Sequence, residues 1–172
     1  MSYISKIENM VSGWLKPVPH LPKGAQKWIA ENVWWIVLIG VIASVINVLI
    51  SIGAIFTYMA LVGTYSYVYS ASPYGAGWII GSIAGLLFSA LIIALLATAI
   101  SQLKNGQKKG WDRLFLVVII NAVSVVVGAI LTFNIVGFIL WIIFGAIGVA
   151  ISAYLTFQIR SHFVAAKAHI KK

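Results

Sequence analysis

The chain has 172 residues, 62% of them hydrophobic and 9% charged, with twelve Lys and Arg against three Asp and Glu and a net charge of +9. Soluble domains carry about 25% charged residues, so a water-soluble fold is excluded, in line with a mean hydropathy of +1.03. The absence of cysteine excludes disulfides, thiolate metal sites and cysteine nucleophiles.

Residues 2–16 read as an amphipathic helix. Tyr3, Ile4, Ile7, Met10, Val11, Trp14 and Leu15 recur at helical spacing, with Lys6, Glu8, Asn9, Ser12 and Lys16 on the other side. Such a helix beside a membrane domain is expected in the interface, as an anchor or as a docking surface. Lys6, Glu8 and Lys16 interrupt the apolar stretch, and no small-residue cleavage site follows, so a secretory signal is not expected. Pro17, Pro19 and Pro22 break the helix. A short helix over Lys23–Glu31 then either runs into the first span or bends at the membrane. Trp28 on it is an interfacial residue.

From Asn32 to Leu103, and again from Leu114 to Ile159, there is no Lys, Arg, Asp, Glu or His. A spanning helix needs about 20 apolar residues, so the two runs divide into four spans, at about 33–58, 77–103, 111–132 and 137–159. Trp34 and Trp35 mark entry into the first span. Gly40, Ser44, Asn47, Ser51 and Ala54 form a stripe along it, which suits close packing between helices. The connection Met59–Ala76 has no charge and is rich in tyrosine, with Tyr65, Tyr67 and Tyr69 alternating. It reads as an interfacial belt, or as a stacking platform for a ligand.

Gly77, Gly81, Gly85 and Ser89 make an extended small-xxx-small pattern on the second span. The island Lys104–Arg113 follows, with Asn105-Gly106 as a turn signal and Trp111 as an anchor at the interface. Lys104, Lys108, Lys109 and Arg113 flank the membrane there. Asp112 suits a dipole or local ion-pair role near a helix start. Asn121, Ser124 and Gly128 share a face of the third span. The short connection at Phe133–Val136 makes the third and fourth spans antiparallel neighbours. Gly145, Gly148 and Ser152 carry the small stripe on the fourth span, and Arg160 begins a basic flank.

The expected fold is therefore an all-α membrane protein: four transmembrane helices in an antiparallel bundle with an N-terminal amphipathic interfacial helix. Residues 1–31 form a cytoplasmic interfacial segment, 32–160 the transmembrane domain and 161–172 a basic cytoplasmic tail. All Lys and Arg fall on one side of this topology, which places both termini in the cytoplasm. The same distribution points to anionic lipid as a partner rather than nucleic acid, which requires a basic face on a soluble surface.

Ion-coupled transport and intramembrane catalysis require ionisable groups at membrane depth, and the spans hold none. No enzymatic activity, cofactor or metal is expected. His20, His162 and His169 lie on the flanks and read as solvated. Asn47 and Asn121 are the deep polar residues. They suit hydrogen bonds between helices, with a polar cavity lining as the alternative. The expected role is a structural or interaction subunit that packs with itself or with another membrane complex. The alternative is a channel or transporter-like bundle for an uncharged or lipid-like solute. The motifs Leu21-Pro22-Lys23-Gly24, Trp34-Trp35, Gly110-Trp111-Asp112 and Phe157-Gln158-Ile159-Arg160-Ser161 resemble small four-helix membrane proteins of reduced-genome bacteria. That resemblance implies a four-helix protein of the cytoplasmic membrane and gives no residue a role.

Overall fold

The structure of the chain is a computed structural model that describes residues 3–64, 75–131 and 135–165. Among these residues it consists of helices: α1 (Tyr3–Leu15), α2 (Lys23–Thr64), α3 (Gly75–Lys104), α4 (Lys108–Ile130), α5 (Ile135–Gln158) and α6 (Arg160–Ala165). Tyr65, Tyr67, Tyr69 and Tyr74, residues 132–134 and the basic residues after Ala165 lie outside the described residues.

Helices α2 to α5 are each long and apolar enough to cross a membrane. Their sequences suit that role because a helix satisfies its own backbone groups, which hydrocarbon cannot do. The first of them takes one of the two forms open to it from the sequence, running on without a bend. Lys23–Glu31 and the span behind it form one uninterrupted helix of 42 residues. At 1.5 Å per residue it is about 63 Å long, roughly twice the hydrocarbon thickness. No proline follows Pro22 until Pro73, so nothing in the backbone chemistry ends the helix where the charges stop. It also continues past Tyr58, into the segment expected to be the connection.

The four long helices pack in chain order, α2 on α3, α3 on α4 and α4 on α5, without an extended contact that joins α2 to α5. Within its most apolar stretch α4 is 28% buried, against 6% for α2 and none for α3 and α5, so α4 contributes most to the interior. The α3–α4 turn is a Schellman closure. Gly106 has φ of +63°, its N–H donates to the Leu103 carbonyl at 3.0 Å, and the Gln107 N–H donates to the Gln102 carbonyl at 2.8 Å. The left-handed conformation favours glycine there, which accounts for the Asn105-Gly106 signal. Gly110 is equally specific: a Cβ on it would lie 2.8 Å from the Leu103 backbone nitrogen. The start of α4 thereby rests on the end of α3.

This close approach assembles the core at the charged end of the helices. Ala30, Val33 and Val37 of α2 meet Ala99 and Leu103 of α3, Trp111, Leu114 and Phe115 of α4, and Ile159 and Phe163 at the end of the chain. Trp111 lies at its centre, fully buried. Its ring stacks on Phe115 at 5.5 Å and meets Phe157 edge-on at 5.6 Å. Its Nε1–H donates to the Thr156 carbonyl at 2.7 Å. The expected outward anchor is therefore a core residue, because the Gly110 contact turns the first turn of α4 inward. Trp14 and Trp28 are exposed, Trp35 is exposed at 47%, and Trp34 lies beneath the Lys104 ammonium at 5.2 Å.

Polar side chains fasten the remaining segments to this end. Glu8 of α1 is buried and accepts from Arg160 Nε at 2.8 Å and Nη2 at 2.5 Å. Gln158 Oε1 accepts from the Leu21 backbone N–H and from Gln26 Nε2, both at 3.1 Å. Tyr154 donates to the Pro19 carbonyl at 2.8 Å. The proline segment lacks donors of its own at three positions, and these long-range bonds hold it against α5. Lys108 pairs with Asp112 at 2.7 Å, and Arg113 Nη1 donates to the Thr98 carbonyl at 2.5 Å.

Candidate functional site

Towards the charge-free ends the row of helices separates around a cavity of about 660 Å³. Its walls come from the small and polar stripes. Helix α2 contributes Asn47 and Ser51, α3 contributes Gly77, Gly81, Ser82, Gly85 and Ser89, α4 contributes Asn121, Ser124 and Gly128, and α5 contributes Trp141. Residues four or seven apart share a helix face, so each stripe turns as a unit toward the common space.

The glycines divide into two groups. A Cβ on Gly40, Gly85 or Gly148 would meet nothing within 4 Å, and one on Gly81 would reach Leu131 only at 3.8 Å. These positions therefore make no close backbone approach among the described residues. On α3 the missing side chains enlarge the cavity instead. Tight contacts occur on the α4–α5 seam. A Cβ on Gly145 would lie 2.5 Å from Val125, and one on Gly128 would lie 2.6 Å from the Trp141 indole nitrogen. Gly128 thus gives Trp141 its place in the wall. Ser152 is half-buried on α5.

Four hydroxyls in and beside the cavity turn back onto their own helices. Ser44 donates to the Gly40 carbonyl at 2.7 Å, Ser51 to Asn47 at 2.9 Å, Ser82 to Trp78 at 2.7 Å and Ser124 to Asn121 at 2.8 Å. Each keeps acceptor lone pairs for another group. The side-chain amides of Asn47 and Asn121 have no hydrogen-bond partner among the described residues. Each offers two N–H donors and one carbonyl oxygen. Among the described residues no lining side chain is ionisable. The described lining can therefore exchange hydrogen bonds with a solute through neutral amides and hydroxyls.

A pocket of about 570 Å³ lies at the opposite end, between the end of α1 and the α5–α6 junction. Lys16, His20 and Arg160 line it, and Arg160 is far in sequence from the other two. Only the long-range bonds of Gln158 and Glu8 bring them together, and the spacing of residues carries no signal for such pairs. Comparison with protein-family models, curated proteins and solved structures finds no match to this chain, so nothing in them bears on the resemblance to membrane proteins of reduced-genome bacteria.

Proposed function

We propose that the chain is a non-enzymatic, multi-pass protein of the cytoplasmic membrane whose central cavity receives an uncharged, amphipathic solute. The observation that carries this reading is the placement of Asn47 and Asn121 on one cavity without a protein partner. An amide withdrawn from water without a hydrogen bond costs several kcal/mol in a hydrocarbon-like medium. A solute with hydroxyl or ester groups relieves that cost, while Trp141 and the apolar walls cover its hydrocarbon part. The distribution of Lys and Arg supports cytoplasmic termini, and the chain-order packing of α2 to α5 supports an antiparallel arrangement. Exposed Met10 and Trp14 on α1 support a position for that helix in the interface, next to anionic lipid.

The test uses protein reconstituted in lipid with a photoactivatable monoacylglycerol as an uncharged amphiphile. Crosslinks should concentrate on the cavity-lining parts of α3 and α4, and Asn47→Leu combined with Asn121→Leu should remove them. Labelling spread over outward residues such as Leu87, or unaffected by the double substitution, defeats the reading.

A structural or interaction role is the second reading, and the open row is what favours it. Helices α2 and α5 do not close on each other, so a helix from another subunit can enter the same space. A cysteine at Asn47 would then crosslink to a second polypeptide in the native membrane, and the amphiphile would leave the cavity unlabelled.

A further inference from the structure

We infer that the pocket at the charged end is a specific seat for the phosphate headgroup of an anionic phospholipid. It rests on the membrane-spanning reading of α2 to α5 and is independent of what the central cavity holds. The pocket lies where the span α5 ends at Gln158, with Phe157, Gln158, Arg160 and Ser161 from that junction facing Ser12 and Lys16 at the end of α1. This is headgroup depth for a helix that crosses at α5. Its volume, about 570 Å³, exceeds a bare phosphate and accommodates a headgroup with its glycerol. None of its lining residues is acidic.

The donors are arranged by the surrounding bonds. Glu8 engages Nε and Nη2 of Arg160 through one carboxylate oxygen, and Nη1 has no partner among the described residues. The tautomer of His20 follows from a chain of constraints. A backbone N–H only donates, so the Gln158 atom that meets the Leu21 N–H is the carbonyl oxygen. Gln158 Nε2 therefore donates to His20 Nδ1 at 3.2 Å. A neutral imidazole then carries its proton on Nε2, which remains a donor. Lys16 and the Ser12 hydroxyl complete a set of donors suited to phosphate oxygens, and Ser161, whose Oγ lies 3.4 Å from His162 Nδ1, borders it. Leu15 and Phe157 line the same pocket and offer an apolar wall to the first acyl carbons. Basic pockets at the ends of spanning helices recognise headgroups by this combination.

The full-length protein, reconstituted in equal parts phosphatidylglycerol and phosphatidylcholine, is extracted in mild detergent and its retained lipid is quantified by mass spectrometry. Phosphatidylglycerol should be retained in preference. Lys16→Gln should lower that preference about fivefold, the effect of one basic residue at an anionic surface, and Ser161→Glu should lower it further. Lys109→Gln removes the same charge at the same end but outside the pocket, and should change it less than about twofold. All three positions are exposed, so the variants should elute as the parent does. Equal retention of the two lipids overturns the assignment, as does an equal loss in Lys109→Gln. Displacement of phosphatidylglycerol by excess inorganic phosphate overturns the lipid as occupant.

Discussion

The two ends of the helix row are built in opposite ways. At the charged end, glycine at position 110 brings α3 and α4 into contact, and an aromatic cluster around Trp111 fills the interior. At the charge-free end, Gly81 and Gly85 of α3 meet nothing close, and amides line a cavity without partners among the described residues. The same residue types thus serve closure at one end and separation at the other. Which of the two occurs depends on what stands opposite each glycine. The difference assigns stability to the first end and adaptability to the second, and substitutions in each end can test that division.

The largest effect should come from Trp111→Ala. Removing a fully buried indole that also donates a hydrogen bond costs about 3–5 kcal/mol, read as a loss of resistance to denaturant in mild detergent. A variant as stable as the parent would remove the basis for the comparison. Next in size is a pair of opposite sign. Gly145→Ala forces a methyl against Val125 and should destabilise by about 1–3 kcal/mol. Gly85→Ala enters open space and should stabilise by up to about 1 kcal/mol through helix propensity alone. If both variants lose stability equally, the wall of the cavity is packed in the native membrane.

Glu8→Gln should cost about 1 kcal/mol, since the Arg160 side chain is 38% exposed and pairs of that kind are partly screened. Its sharper readout is faster proteolysis within residues 16–22, because α1 loses its ion pair with the helix junction. The last case is Asn47→Leu combined with Asn121→Leu, which should not lower stability, because the amides it removes have no protein partner among the described residues and are costly to withdraw from water. Amides that bonded across helices would instead cost roughly 0.5–2 kcal/mol when removed. Denaturation of the double variant beside the single ones separates the two cases.

Much of the fold was legible in the sequence because charge and hydrocarbon exclude each other. The gaps between Asn32 and Leu103 and between Leu114 and Ile159 set the number of candidate spans, and Asn105-Gly106 set the tight turn between α3 and α4. The same pattern left the extent of α2 open between a bend and a continuous helix, since a change from charged to apolar side chains alters the solvent and leaves the helical backbone intact. The cavity was half legible. Periodicity places Asn47 with Ser51, and Asn121 with Ser124, on common faces, but it carries no distance between those faces. Trp111 was assigned by residue type to the headgroups, and only the contact at Gly110 shows why it turns inward. The bonds of Gln158 to Leu21 and of Glu8 to Arg160 join residues 137 and 152 positions apart, and no local spacing encodes them.

The unbroken length of α2 gives the molecule a mechanical property. Gln26, tied to Gln158 at the charged end, and Asn47, in the cavity wall, stand about 32 Å apart on one rigid rod. A rod has no joint to absorb displacement. If it pivots by about 3° at its tethered foot, Asn47 sweeps roughly 1.7 Å, over half the length of a hydrogen bond. The foot of α2 and the wall of the cavity are thereby mechanically linked through a single helix.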